Sequence, residues 1–492
     1  MLASDSKQDN KKVLTRDNMN PHVRAAEYAV RGELAIKSEK LKEELAQGIS
    51  HPFKSVVACN IGNPQALNQK PITFFRQVAS LVEYPDLLSD ENAELTSKLY
   101  PSDAIARAKL LLKHIGSIGA YSHSQGIPQI REDVAKFISG RDGYPADASK
   151  IYLTQGASAG VQLTLQMIVE HSNVGIMIPI PQYPLYTATL AVLNAKPVPY
   201  YLDESKGWGL TTEELQRSFD EAAKSGIETR ALVIINPGNP TGQCLTEENM
   251  RQIVDFCHTN KVILLADEVY QTNIYMPEER PFHSFKKVLK SMGSKYEGQE
   301  LISYHSISKG MIGECGRRGG YFECEGMDTS ILEEIYKISS ISLCPNVQGQ
   351  IMVDLMVNPP KKGDASYALY QKEYDAIYHS LVSRAKKLED TFNSMEGYSC
   401  NSADGAMYLF PQIQLSKKAV AAAKEANKAP DQFYCLAMLD ATGVCMVAGS
   451  GFGQVDGTAH FRSTFLPPPE LFDEFCSSIK KFHNDFMNKY RD

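Results

Sequence analysis

From residue 151 onward the chain alternates short apolar runs with stretches of helical period. The runs at 151–153, 174–180, 197–202, 232–235, 262–266 and 301–306 are rich in β-branched residues and too short to be helices. The helices between them have recognisable starts: Thr211 with Glu214 forms a capping-box pattern, and Thr246 precedes a polar first turn. One helix between successive strands predicts an α/β fold whose mainly parallel sheet is covered by helices on both faces.

The flanking regions read differently. Asn20-Pro21 is a cap residue followed by a proline at the first helical position, and residues 24–45 carry a helical pattern. Residues 54–59 form a short apolar strand running into the turn cluster Asn60-Ile61-Gly62-Asn63-Pro64. Near residue 345 the texture changes. Asn358-Pro359-Pro360 breaks the chain, and a long helix is expected over 367–392. Strand-like 406–409, an Ala/Lys-rich segment at 419–426, strand-like 460–465 and a last helix follow; Phe472, Phe475, Ile479, Phe482 and Phe486 recur at three and four, the stripe of a core-facing helix. The expected division is an N-terminal arm with part of a small domain (1–90), a large domain (91–357) and a smaller C-terminal α+β domain (358–492).

Composition narrows the partners. Hydrophobic residues make up 43% and charged residues 22% of the 492, the balance of a globular chain. A net charge of -7 without a long basic run lacks the footprint of a nucleic-acid or anionic-membrane binder. Small molecules and copies of the chain itself are the expected partners. No apolar stretch approaches the roughly 20 residues a membrane-spanning helix needs, and the longest, 174–180, contains Pro179. Residues 1–20 hold Asp5, Asp9 and Asp17 and no apolar run, unlike a secretory leader. Ten cysteines without paired spacing suit a reducing compartment, the cytosol, with a mitochondrial location as the alternative. No metal is expected: C-x-x-C and H-E-x-x-H are absent, and Cys257-His258 stands alone.

The candidate chemistry lies in loops after the apolar runs, where open α/β sheets bind ligands. Ser306-Ile307-Ser308-Lys309 is followed by a glycine-rich loop carrying Arg317 and Arg318. A lysine there suits a cofactor with both an aldehyde and a phosphate: the amine forms a Schiff base and, once displaced, acts as a base, while Ser306, Ser308 and an arginine hold the phosphate. On its own S-x-S-K is more often a solvated surface loop. Asp267, ending the run at 262–266, can keep a cofactor ring nitrogen protonated, and Tyr270 can donate to the ring's phenolic oxygen. Asn236-Pro237-Gly238-Asn239-Pro240-Thr241-Gly242 presents Asn239 toward the same oxygen. Gly156, Ala157 and Ser158 open a helix whose N–H groups suit a phosphate, and Tyr183 can stack on a ring. Gly449-Ser450-Gly451-Phe452-Gly453 lacks dinucleotide-loop spacing and reads as a tight turn delivering the 460–465 strand.

In kind and order these loops resemble the fold-type I pyridoxal phosphate aminotransferases over nearly the whole chain. The stretches Asn60-Ile61-Gly62-Asn63-Pro64-Gln65, Tyr121-Ser122-His123-Ser124-Gln125-Gly126, Ser303-Tyr304-His305-Ser306-Ile307-Ser308-Lys309-Gly310, Gly313 to Tyr321 and His460 to Pro468 resemble the alanine aminotransferase family in particular. The resemblance implies a pyridoxal 5'-phosphate cofactor and ping-pong transamination of L-alanine with 2-oxoglutarate, Lys309 shuttling the proton. It implies a homodimer in which Tyr121 reaches the neighbouring subunit's phosphate, and an Arg462 clamp on the substrate α-carboxylate, aided by Asn239 and a backbone N–H near Gly62. Arg318, heading the Arg-Gly-Gly-Tyr that matches the family, is preferred over Arg317 for the phosphate. The alternatives are a glutamate:glyoxylate or other small-oxo-acid aminotransferase, a lyase or synthase with the same cofactor, and a non-enzymatic regulator. The donor for glutamate's distal carboxylate is left unassigned.

Overall fold

A computed structural model describes residues 12–492, so the reading of 1–20 as no leader falls outside the described residues over 1–11. Seven strands build the central sheet: β1 (Ile151–Thr154), β2 (Val174–Ile180), β3 (Lys196–Tyr201), β4 (Glu228–Ile235), β5 (Ile263–Asp267), β6 (Leu301–Ser306) and β7 (Gly320–Glu325). Their order is β1-β7-β6-β5-β4-β2-β3, parallel except that β7 runs against β1 and β6. β1, β6 and β7 are buried along their whole length, as a sheet covered on both faces requires.

β7 was not foreseen. Its Tyr-Phe-Glu-Cys-Glu places two carboxylates in a strand with no exposed position, where sequence reasoning expects apolar side chains. The helix Phe285–Ser291 resolves this by offering Lys286, fully buried, whose Nζ lies 2.5 Å from Glu323 and 3.1 Å from Glu325. Buried charges survive because each is paired.

The helix expected over 24–45 is in fact three pieces: Pro21–Ala25, a 3-10 turn Ala29–Arg31, and Glu33–Ala46 with Gly32 as its cap. Tertiary contacts override the helical pattern. Val30 is 4% exposed, and the Tyr28 hydroxyl lies 2.6 Å from that of Tyr183. The strand expected over 54–59 shrinks to Val57–Ala58, paired in parallel with Val444–Cys445. The long helix forms as Tyr367–Asn393. A three-stranded antiparallel sheet sets Phe461–Thr464 between Tyr408–Leu409 and Val447–Ala448. The strand expected from 406 starts only at Tyr408, because Ala406 sits at φ 61. The last helix, Phe472–Lys489, buries all five residues of the aromatic-aliphatic stripe.

One apolar core joins Leu34, Leu41 and Cys59 to residues from 381 through 486, and reaches Tyr270 and Met311 beneath the sheet's carboxyl ends. No described helix is long and apolar enough to cross a membrane, and no metal-binding cluster occurs among the described residues.

Candidate active site

The carboxyl ends of the parallel strands open onto a cavity of about 400 Å³, within the range of cofactor sites. Ala157, Ser158, Tyr183, Asn239, Asp267, Tyr270, Ser306, Ser308, Lys309, Arg318, Arg462 and Gly62 all line it, although they span 400 residues of chain. Each parallel strand ends at the rim and hands its next residues to a loop. Asp267 is the last residue of β5 and Ser306 the last of β6; Asn239 lies four residues past Ile235, the end of β4.

Lys309 Nζ donates to the Gly62 carbonyl at 2.9 Å and lies 5.7 Å from the centre of the Tyr270 ring. Gly62 is glycine for want of room: a Cβ there would strike the Tyr408 hydroxyl and come within 3.2 Å of Lys309 Nζ. The Gly62 carbonyl therefore faces the site, where the sequence suggests a backbone N–H.

Asp267 is 5% exposed and has no basic partner within ion-pair distance among the described residues. Burial pushes its carboxyl up to about 6; the Tyr186 hydroxyl, donating to Oδ2 at 2.9 Å, the Val269 N–H and nearby Lys309 pull the other way. A carboxylate held without a counter-ion in a cavity is poised for a cationic group of a ligand.

Arg462 is 1% exposed. Its Nη1 donates to Asn239 Oδ1 at 2.9 Å and Nη2 to the Asn60 carbonyl, while its plane lies between the rings of Tyr408 and Phe452, at 4.2 and 4.7 Å. The Nε donor is buried without a partner. A guanidinium so fixed, with a donor unspent, suits a carboxylate.

Also lining the cavity, the Ser306 hydroxyl donates to the Ser308 hydroxyl at 3.0 Å. Arg318 donates to the carbonyls of Gln155 and Cys315, both at 3.1 Å, whereas Arg317 turns away to Gln348 at 3.2 Å. Only Arg318 of the doublet lines the cavity. Gly156 caps the helix Ala157–Ile168 at φ 79, and a Cβ on it would come within 2.5 Å of Arg318 Nη2. Hydroxyls, helix N–H groups and a guanidinium thus converge as a phosphate requires.

Tyr121 is the one predicted residue remote from this group. It is 80% exposed and does not line its own chain's cavity. Conversely, the sequence reading overlooked Tyr186 and Tyr408. Tyr408 accepts from the Tyr270 hydroxyl at 3.1 Å; burial raises its hydroxyl, but the charges of Lys309 and Arg462 outweigh burial and lower it, while Tyr270 is raised. Tyr186 stands three residues after Tyr183, in the first turn of the helix Leu185–Val192, and nearness in sequence to the loop at the strand end was the signal that could have found it. Tyr408 stood in a run read only as strand. The arm residues Tyr28, Val30 and Arg31 also line the cavity, hidden in a segment read as continuous helix.

A family model for "Aminotransferase class I and II" matches residues 85–479. The chain is 52% identical to "Alanine aminotransferase 2" of Panicum miliaceum over 479 residues, covering 97% of this chain and 98% of that one. It is 50% identical to "Glutamate--glyoxylate aminotransferase 1" of Arabidopsis thaliana over 481 residues, covering 97% and 98%. Among solved structures, the alanine aminotransferase from Pyrococcus furiosus superposes with a TM-score of 0.72 at 21% identity, covering 95% of this chain and 99% of that chain; that likeness speaks to the fold.

Proposed function

The chain belongs to the class I and II aminotransferase family, and on that premise we propose that it transfers the amino group of L-alanine to 2-oxoglutarate, yielding pyruvate and L-glutamate. The single observation that carries the reading is that Lys309, the buried and unpaired Asp267, and Arg462 with its unspent Nε line one cavity. The family's cofactor is pyridoxal 5'-phosphate, and the donor set described above fits it. When bound, that group supplies a cationic ring that withdraws electrons from the substrate's α-carbon.

In this reading each residue has a defined task. Lys309 holds the cofactor through its amine and, once displaced by substrate, takes the α-proton on Nζ and returns it; the Gly62 carbonyl anchors that amine at rest. Asp267 faces the ring nitrogen and is itself held by Tyr186. Tyr270 and Asn239 serve the phenolic oxygen, and Tyr183 covers the ring. Gly156, Ala157, Ser158, Ser306, Ser308 and Arg318 hold the phosphate. Arg462 grips the α-carboxylate, fixing the substrate so that the α-C–H bond is presented to Lys309.

Residues 91–357 would form the large cofactor domain, with 1–90 and 358–492 supplying the arm and small domain. We take the active unit to be a homodimer in which Tyr121 serves the partner's phosphate, and the compartment to be the cytosol, which the ten unpaired cysteines support. A panel of amino donors against pyruvate, glyoxylate and 2-oxoglutarate tests the substrate assignment. Alanine with 2-oxoglutarate should rank first. If glutamate with glyoxylate outranks it, the second reading, motivated by the glyoxylate-type relative at 50% identity against 52%, replaces the first.

A further inference from the structure

We propose that Arg31 takes the distal carboxylate of the five-carbon dicarboxylic substrate, an inference that rests on glutamate and 2-oxoglutarate being substrates. Four basic side chains line the cavity: Arg31, Lys309, Arg318 and Arg462. Three are committed. Lys309 bonds the Gly62 carbonyl, Arg318 is fixed beside the helix N-terminus by two carbonyls, and Arg462, buried against two rings and tied to Asn239 and the Asn60 carbonyl, is taken by the α-carboxylate. A dicarboxylate brings a second carboxylate, which desolvates at a cost unless a cation meets it.

Arg31 is the remaining cation. Its guanidinium has no hydrogen bond or carboxylate partner among the described residues, and no acid other than Asp267 lines the cavity to compete for it. The backbone that carries it is nonetheless fixed. The 3-10 turn Ala29–Arg31 closes with Arg31 N–H donating to the Tyr28 carbonyl at 3.0 Å, Val30 is buried, and the Tyr28 hydroxyl is tied to Tyr183 at 2.6 Å. The turn packs on Val447–Ala448 and on Gly449–Phe452, and Phe452 is one of the rings against Arg462. The arm therefore stands over the wall that holds the α-carboxylate clamp.

This placement answers a demand particular to a two-substrate transaminase. One site must accept a three-carbon substrate with a single carboxylate and a five-carbon substrate with two. A second buried arginine would be an uncompensated charge whenever alanine or pyruvate was bound. Arg31 is exposed at the mouth, so it stays hydrated when idle and engages only when a distal carboxylate arrives.

The test is Arg31→Gln, with Arg31→Lys as the conservative control, in the holoenzyme with the two half-reactions measured separately. The expected result is a rise in KM for glutamate and 2-oxoglutarate of about 10- to 100-fold, the range of a lost charged hydrogen bond. KM for alanine and pyruvate should stay within about two-fold, and Arg31→Lys should recover part of the loss. Calorimetric titration with glutarate, a dicarboxylate without a reacting group, should lose affinity by a similar factor, while propionate binds wild type and variant alike. Equal losses for alanine and glutamate, or no loss for either, overturn the assignment. A wild-type enzyme that uses neither glutamate nor 2-oxoglutarate overturns the functional reading instead, so the two failures are distinguishable.

Discussion

Asp267 shows at residue scale how a binding site is prepared at the expense of stability. Its carboxyl, near 4 in an unfolded chain, is raised to about 6 by burial. Between those values the folded protein holds the proton more tightly than the unfolded chain, so stability falls as pH rises through that window, and the full loss is present above about 6. Asp267→Asn keeps an acceptor for Tyr186 but removes the charge. The cofactor-free variant should be roughly 2–3 kcal/mol more stable than the cofactor-free wild type at pH 8, with the gap shrinking toward pH 4. Urea unfolding at the two pH values measures it. The holoenzyme should pay in rate, by about 100-fold or more in either half-reaction, because the ring nitrogen loses its anion. A variant no more stable than wild type at pH 8 would mean that Asp267 is not held charged without a partner. Lys309→Ala is the companion test: wild type mixed with the cofactor should develop a visible absorbance band distinct from the free cofactor, and the variant should not. The cavity positions of the lysine and aspartate were legible because Asp267 closes an apolar run and Lys309 lies three residues past the end of another, where chemistry in an α/β sheet concentrates. Tyr186 and Tyr408 were not legible. An aromatic residue inside an apolar pattern reads as packing, and only the fold shows that its hydroxyl meets Asp267 or Tyr270.

At the scale of elements, the strand-end loops were readable and the exceptions have physical causes. Six strands of the sheet follow from runs of apolar, β-branched residues. β7 does not, because Glu323 is paired by Lys286, 37 residues away in sequence, and Glu325 by Lys286 and Lys290. The arm failed as a helix because Val30 and Tyr28 gain more from burial and from Tyr183 than from continuing the turn. The helix start proposed to hold the phosphate gives a prediction at this scale. Gly156 combines φ 79 with a Cβ position 2.5 Å from Arg318, so Gly156→Ala should cost about 1 kcal/mol or more in backbone strain and also displace the guanidinium. Cofactor affinity, measured by dissociation in ultrafiltration, should weaken by about 10-fold or more. Unaltered affinity in a destabilised variant would separate Arg318 from the phosphate.

At the scale of the whole molecule, a single chain leaves one feature without an explanation inside itself. Tyr121 is 80% exposed, yet its segment is held in place: Ser122 N–H meets Cys344 Sγ at 3.4 Å, and the Ser124 hydroxyl donates to the Leu343 carbonyl at 2.6 Å. Beside it Ile341 is 79% exposed and Leu343 51%, with Tyr336 at 40%. An ordered segment that presents a tyrosine among exposed apolar side chains calls for a covering surface, and a second copy supplies one in the proposed dimer. If Tyr121 serves the partner's cavity, defects in Tyr121 and Lys309 must complement each other across the interface. A Tyr121→Ala subunit keeps its own lysine and receives Tyr121 from a Lys309→Ala partner, so the hybrid has one whole site. Random reassociation of equal amounts makes about half the dimers hybrid, each with one of two sites intact, so about one quarter of the wild-type sites should be restored. Each variant alone should bind cofactor weakly or be inactive, and the mixture should exceed the mean of the two after subunit exchange. No gain on mixing, with exchange shown by differently tagged subunits, would return Tyr121 to its own chain or to no role in the site.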